Sequence, residues 1–127
     1  MKKISFIQPS RNNLKYLKWS YNSIRKNLGT EHEICWADDF SDDGTWDWMN
    51  EIFKKDENVQ IMRNDGPDRL GHTILYDKLV DMATNDIVMI YHADMYACPN
   101  MDVEVLKHLQ RGKVVSATRI EPPLHPD

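Results

Sequence analysis

Asp38 and Asp39 stand side by side in the run Ala37 Asp38 Asp39 Phe40 Ser41 Asp42 Asp43 Gly44 Thr45, directly after the apolar stretch Ile34 Cys35 Trp36. Adjacent carboxylates repel one another unless they accept hydrogen bonds or face a cation, so a turn of this composition calls for a partner. A bound ligand or metal ion would supply it. A plainer reading competes: Ser41 or Asp43 caps the helix that opens near Thr45, its side-chain oxygen taking up an orphan backbone N–H. The turn by itself leaves both readings open.

A second group is Tyr91 His92 Ala93 Asp94 Met95. Residues i and i+2 share a face in an extended chain, so His92 and Asp94 point at one ligand if the strand continues past Tyr91. A carboxylate with an imidazole suits a divalent ion, Mg2+ or Mn2+ where oxygen donors dominate, with Mn2+ tolerating the nitrogen. Two side chains leave most of the coordination sphere to other donors, and diphosphate oxygens and water are the usual completion. The bland alternatives are a histidine satisfied by backbone groups and an aspartate that caps the following helix.

These residues must be held by the elements around them. Ile4 to Ile7 predicts a short apolar strand stopped by Pro9, and Leu14, Leu17, Tyr21, Ile24 and Leu28 recur at helical spacing until Gly29. Glu33 to Ala37 predicts a second strand, Thr45 to Lys55 a second helix, Asn58 to Met62 a third strand and Thr73 to Ala83 a third helix, after a turn-rich loop from Asn64 to Gly71. Ile87 to Tyr91 is an unbroken apolar run, which predicts a strand buried on both faces. Val103 to Leu109 then predicts a helix and Lys113 to Thr118 a further strand. Strands alternating with helices predict an α/β fold with a largely parallel sheet covered on both faces. Both chemical groups then fall just beyond strand ends, where open α/β sheets bind ligands.

The chain has 127 residues, the size of one domain, so residues 1–127 are expected to form a single unit. Its formal charge of −4 and the lack of a long Lys or Arg run exclude an electrostatic footprint for nucleic acid and disfavour membrane surfaces. Any anionic ligand must be held by local basic groups, helix N-termini or a bridging metal. Two isolated cysteines, Cys35 and Cys98, fit reduced thiols. The apolar patch Ile4 to Ile7 is too short for a signal peptide or a spanning helix, so a soluble, cytoplasmic protein is expected.

Pro9 after the first strand, Asp38 Asp39 x Ser41 x Asp43 Gly44 Thr45, Gly71 before a helix, and His92 Ala93 Asp94 followed by Pro99 together resemble the GT-A glycosyltransferases of family 2. The resemblance spans roughly residues 3 to 119, and the terminal Arg119 to Pro126 is also similar to a segment of bacterial and viral members. It implies a GT-A, Rossmann-like fold and a nucleotide-diphosphate sugar donor, UDP- or GDP-linked, with Mn2+ or Mg2+ as cofactor. Pro9 then falls at the start of the nucleotide pocket. Asp39 matches the carboxylate that reads the base, with Asp38 preceding it in the same pair, and Gly71 lies on the donor loop. Asp94 matches the last acid of the family's Asp-x-Asp motif, which holds the metal on the diphosphate, and His92 stands at its first acid, toward the metal or the ribose. Tyr76 and Asp77 stand where many members carry Arg and Asn, so Arg11 and Arg69 are the candidate phosphate partners.

Family enzymes run to about twice this length, beyond the common single-domain mode, and carry their acceptor half and catalytic base after the segment where this sequence stops. The resemblance therefore implies the donor-binding half of an inverting transferase, incomplete relative to the family, with no catalytic base assigned; Glu121 and Asp127 have no position that recommends them. An uncovered sheet edge would encourage self-association into a homo-oligomer. Two other readings stand beside the transferase: a module that captures nucleotide sugars without transferring them, and a nucleotidyltransferase. The latter lacks a Gly-rich phosphate loop after the first strand.

Overall fold

The structure, a computed structural model, describes residues 3–117. In chain order these form β1 (Ile4–Ser10), α1 (Leu14–Asn27), β2 (His32–Asp39), α2 (Thr45–Lys55), β3 (Val59–Asn64), α3 (His72–Met82), β4 (Ile87–Ile90) and α4 (Met101–His108). The four strands make one sheet in the order β3-β2-β1-β4, and every pairing is parallel. The chain steps outward from β1 to β3 and then returns to the far side of β1, so the strand order reverses between β1 and β4. Such a switch point leaves a crevice outside the carboxyl ends of the strands.

Period-two alternation divides the core between the two faces. Ile4 and Phe6 of β1 and Ile34 and Trp36 of β2 pack with Leu17 and Ile24 of α1 and Met49 and Ile52 of α2. The intervening Ile7, Cys35 and Ala37 pack with Leu75 and Leu79 of α3. Helices therefore cover both faces, as the alternation of elements predicts. Burial beside the Glu33 carboxylate pushes the Cys35 thiol up to about 12, so it is an inert core group.

Three expectations about single strands are corrected. Pro9 does not stop β1, which continues in register with β2 through Pro9↔Ala37 and Ser10↔Asp38. Tyr91 N donates to Ile7 O at 3.1 Å, so Ile7 and, two residues on, Pro9 turn their backbone groups toward β4. The β1–β4 ladder ends at Ile7↔Ile90, and the N–H that Pro9 lacks therefore costs no ladder bond. β4 is not buried on both faces: among the described residues it pairs only with β1, Ile87 to Met89 are half-buried, and Ile90 is 64% exposed. An apolar run is consistent with an edge strand as well as a central one. Residues 113–117 form no strand, and Thr118 lies outside the described residues, as do Arg119 to Pro126 with Glu121, and Asp127. No helix among the described residues is long and apolar enough to cross a membrane.

Candidate functional site

A cavity of about 700 Å³ opens at the carboxyl edge of the sheet. Its lining comes from the end of β1 and the turn after it (Pro9, Ser10, Arg11, Asn12, Asn13), the end of β2 (Asp39), the loop into α3 (Arg69, Gly71, His72) and the segment after β4 (His92, Ala93, Asp94). The crevice at the switch point is thus the place where Pro9, Arg11, Asp39, Gly71, His92 and Asp94 meet. Asp38 does not line it.

Strand alternation separates the acidic pair. Asp38 shares the face of Trp36, is fully buried, and pairs with Arg63, whose Nε donates to Asp38 Oδ2 at 3.1 Å. The guanidinium sits over the rings of Phe40 and Trp46, at 5.9 and 5.7 Å, and donates to Ser41 O. Asp38 Oδ1 and Ser10 Oγ are buried polar atoms without a protein partner among the described residues. Asp39 faces the other way, toward the α3 side. Its Oδ1 accepts from Asn64 Nδ2 (2.8 Å) and Leu70 N (3.0 Å), and its Oδ2 accepts from Gly71 N (3.0 Å). Burial alone would raise the Asp39 pKa, but these donors and the nearby Arg11 charge hold it below the usual carboxylate range. Four lone-pair sites less three bonds leave Oδ2 one more acceptor position.

Neither Ser41 nor Asp43 is the N-cap of α2, a position held by Gly44, although Asp43 bonds the first N–H of the helix. Asp43 Oδ1 accepts from Thr45 N (3.0 Å) and from the Thr45 hydroxyl, and Oδ2 accepts from Leu14 N (3.1 Å). One carboxylate thereby ties the first turns of α1 and α2 together, with Gly44 at φ +90° making the bend. Ser41 Oγ accepts from Asn12 N at 2.9 Å, which fastens the β1–α1 turn to the β2–α2 turn. Phe40 takes the left-handed conformation at φ +58°, a strained state for an aromatic residue. The carbonyls of Asp39 and Phe40 both accept from Arg11 Nη1, at 2.9 and 3.1 Å.

After β4 the chain does not stay extended: Ala93 and Asp94 lie in a turn, with Met95 N donating to His92 O. His92 and Asp94 are nevertheless both exposed and both line the cavity. Gln8, a polar residue at a core-facing position of β1, secures this segment. Its Nε2 donates to His92 O (3.1 Å) and Ser20 Oγ (3.0 Å), and its Oε1 accepts from Trp36 Nε1 (2.9 Å). Tyr76 Oη lies 3.3 Å from His92 Nδ1. Burial and then the Asp94 charge push the Tyr76 pKa up, so the phenol stays protonated. Gln8 and Arg63 are the supporting residues that sequence reasoning missed. A glutamine in step with Ile4 and Phe6 is a readable signal, whereas Arg63 pairs with Asp38 only through strand register.

Gly71 has φ +82°, and a Cβ built there meets nothing within 4 Å. Backbone conformation, not space, is what a side chain would violate.

Residues 5–124 match the family model described as Glycosyl transferase family 2. The chain belongs to glycosyl transferase family 2. A parallel α/β sheet carries the cavity at its carboxyl edge. Among solved structures, S. aureus TarS 1-349 in complex with UDP is 23% identical, with a TM-score of 0.71 over 84% of this chain and 31% of that one. TarS 1-349 in complex with UDP-GlcNAc is 22% identical, with a TM-score of 0.68 over 84% and 30%. The mannosyltransferase PcManGT from Pyrobaculum calidifontis, in complex with GDP-Man and Mn2+, is 20% identical, with a TM-score of 0.60 over 72% and 27%. These likenesses establish the GT-A fold. The family 2 chain described here spans under a third of the length of these three structures.

Proposed function

We propose that this chain is the donor-binding part of a metal-dependent, inverting glycosyltransferase that takes a UDP- or GDP-sugar and passes the sugar to an acceptor hydroxyl. The cavity carries the reading: seven candidate residues from separate parts of the sequence, Arg69 among them, share one opening at the switch point of the sheet. The fold shared with proteins solved with UDP, UDP-GlcNAc and GDP-Man supports a nucleoside-diphosphate sugar as the ligand class.

In this reading the remaining acceptor position of Asp39 takes an N–H from the base, N3–H of uracil or the donor edge of guanine. Pro9 and Gly71 leave the backbone open to the nucleotide. Arg11, with Nη1 held by two carbonyls, and the exposed Arg69 offer their other N–H groups to the diphosphate. His92 and Asp94 would hold the divalent ion: one imidazole and one carboxylate, both exposed to the cavity, are a donor set that Mn2+ or Mg2+ accepts. No group of three ligating side chains occurs among the described residues, so the remaining positions fall to diphosphate and water. When bound, the ion neutralises charge on the leaving diphosphate. The base that must take the acceptor's proton in an inverting transfer is assigned to none of these residues.

Calorimetric titration with UDP and GDP, in Mn2+ and in EDTA, tests the reading. The expected result is tighter binding in Mn2+ for the wild type and loss of that gain in Asp94→Asn, whose metal-free affinity and melting temperature stay near the wild-type values. Equal wild-type affinity in Mn2+ and EDTA would sink the metal assignment, and no binding of either nucleotide would sink the donor site. Nucleoside diphosphate released only with an acceptor marks transfer and pyrophosphate release a nucleotidyltransferase; binding without release is the result expected of the donor-binding part by itself and is shared with a capture module.

A further inference from the structure

His92 is held at both ends. Its carbonyl accepts from Gln8, a buried side chain itself fixed by Trp36 and Ser20, and its ring nitrogen Nδ1 faces Tyr76 Oη at 3.3 Å. The two rings meet edge to face, 6.4 Å apart at 74°. Tyr76 is half-buried on α3 and its ring packs against the Ile7, Cys35, Leu75 and Leu79 cluster, which sets its hydroxyl beside His92. An exposed histidine with no task gains little from this support.

We propose that Tyr76 is a positioning residue that fixes His92 as a nitrogen donor through Nε2, and that this gives the donor site a preference for Mn2+ over Mg2+. Ligating histidines donate their other ring N–H to an oxygen that sets tautomer and ring orientation. Nδ1–H donating to Tyr76 Oη is that arrangement, and it leaves the Nε2 lone pair available. An imidazole at this position penalises Mg2+, which demands hard oxygen ligands and near-ideal octahedral geometry, more than Mn2+. The inference rests on the donor-site reading and adds the metal preference and the residue that enforces it.

The test is calorimetric titration with UDP, and in parallel GDP, in Mn2+, in Mg2+ and in EDTA, for wild type, Tyr76→Phe and His92→Asp. Pulsed electron paramagnetic resonance of the Mn2+-loaded protein, which detects a nitrogen ligand by its magnetic coupling, accompanies it. Expected are wild-type affinity about tenfold or more tighter in Mn2+ than in Mg2+, and a nitrogen coupling that His92→Asp abolishes together with the preference. Tyr76→Phe, which keeps the ring packing, is expected to lower Mn2+-supported affinity by about tenfold, the lower end for loss of a partner behind a metal ligand, without changing affinity in EDTA. Either ion supporting binding equally in the wild type, no nitrogen coupling, or Tyr76→Phe behaving as wild type overturns this inference and leaves the donor-site reading intact. No gain from either ion over EDTA overturns the metal assignment as well.

Discussion

At the end of β2 and in the turn after it, Asp38, Asp39 and Asp43 all accept hydrogen bonds from the protein's own N–H groups, and Arg63 neutralises the most deeply buried of them. In the segment after β4 the anchoring runs through the backbone: Gln8 and Met95 bond to the His92 carbonyl, while the side chains of His92 and Asp94 stand exposed at the cavity. Both regions bring acids to the same edge of the sheet. The first uses them to lock loops together, and Asp39 alone of the three also lines the cavity. The second leaves donor atoms accessible to a ligand. A dense acidic run is therefore weaker evidence for a ligand site than a sparse pair whose scaffold is held from behind.

The comparison is broken most severely by removing the cation of the turn. Arg63→Ala leaves Asp38 buried with one weak backbone bond at 3.3 Å and no counter-charge. Breaking one side of such a pair costs about 3–5 kcal/mol, and the part exposure of Arg63 places the expected loss toward the lower figure. Chemical denaturation checks it; a midpoint unchanged from wild type would mean that the turn holds without its ion pair.

Asp39→Ala acts on both roles at once. Loss of the hydrogen bond that the base donates to this charged acceptor is expected to weaken UDP or GDP binding by about 1.5–3 kcal/mol. The fold should survive, because the loop that Asp39 ties down, from Asn64 to Gly71, lies at the surface edge of the sheet. Calorimetry on the folded variant decides: unchanged affinity would confine Asp39 to holding the loop.

Asp43→Ala is the mildest. It removes a carboxylate that lies outside the N-cap of α2 and accepts from the first N–H of each of two helices, each bond worth about 0.5–1.5 kcal/mol net. Burial raises the Asp43 pKa, but the Thr45 hydroxyl and the N–H groups of Leu14 and Thr45 outweigh it and lower the value from 3.8. A carboxylate depressed in the folded state binds fewer protons there than in the unfolded chain, so its contribution is complete above about pH 3.8 and is lost as the pH falls through the folded value. The stability gap between wild type and Asp43→Ala should accordingly be constant near neutrality and close in acid. A gap that persists at the lowest pH at which the fold survives would show that the Asp43 link is not ionic.

The alternation of elements, the parallel α/β sheet with helices on both faces, and the three helices from Leu14 to Met82 were legible in the sequence, because helical spacing and apolar runs are local signals. So was the edge of the sheet at which the candidate residues gather, since strand ends and turn residues can be read in order along the chain. Three things were decided only by tertiary structure. The faces of Asp38 and Asp39 depend on β2 running two residues beyond its predicted end at Ala37, and one residue of alternation separates an ion pair under α2 from a cavity wall. The exposure of β4 depends on which strands flank it, which no run of Ile and Val records. The support of His92 by Gln8 and Tyr76 joins residues 84 and 16 positions away from it. Local composition sets what a segment can become; which groups remain open to a ligand is set by long-range pairing, because an acceptor already filled by a distant donor has less left to offer.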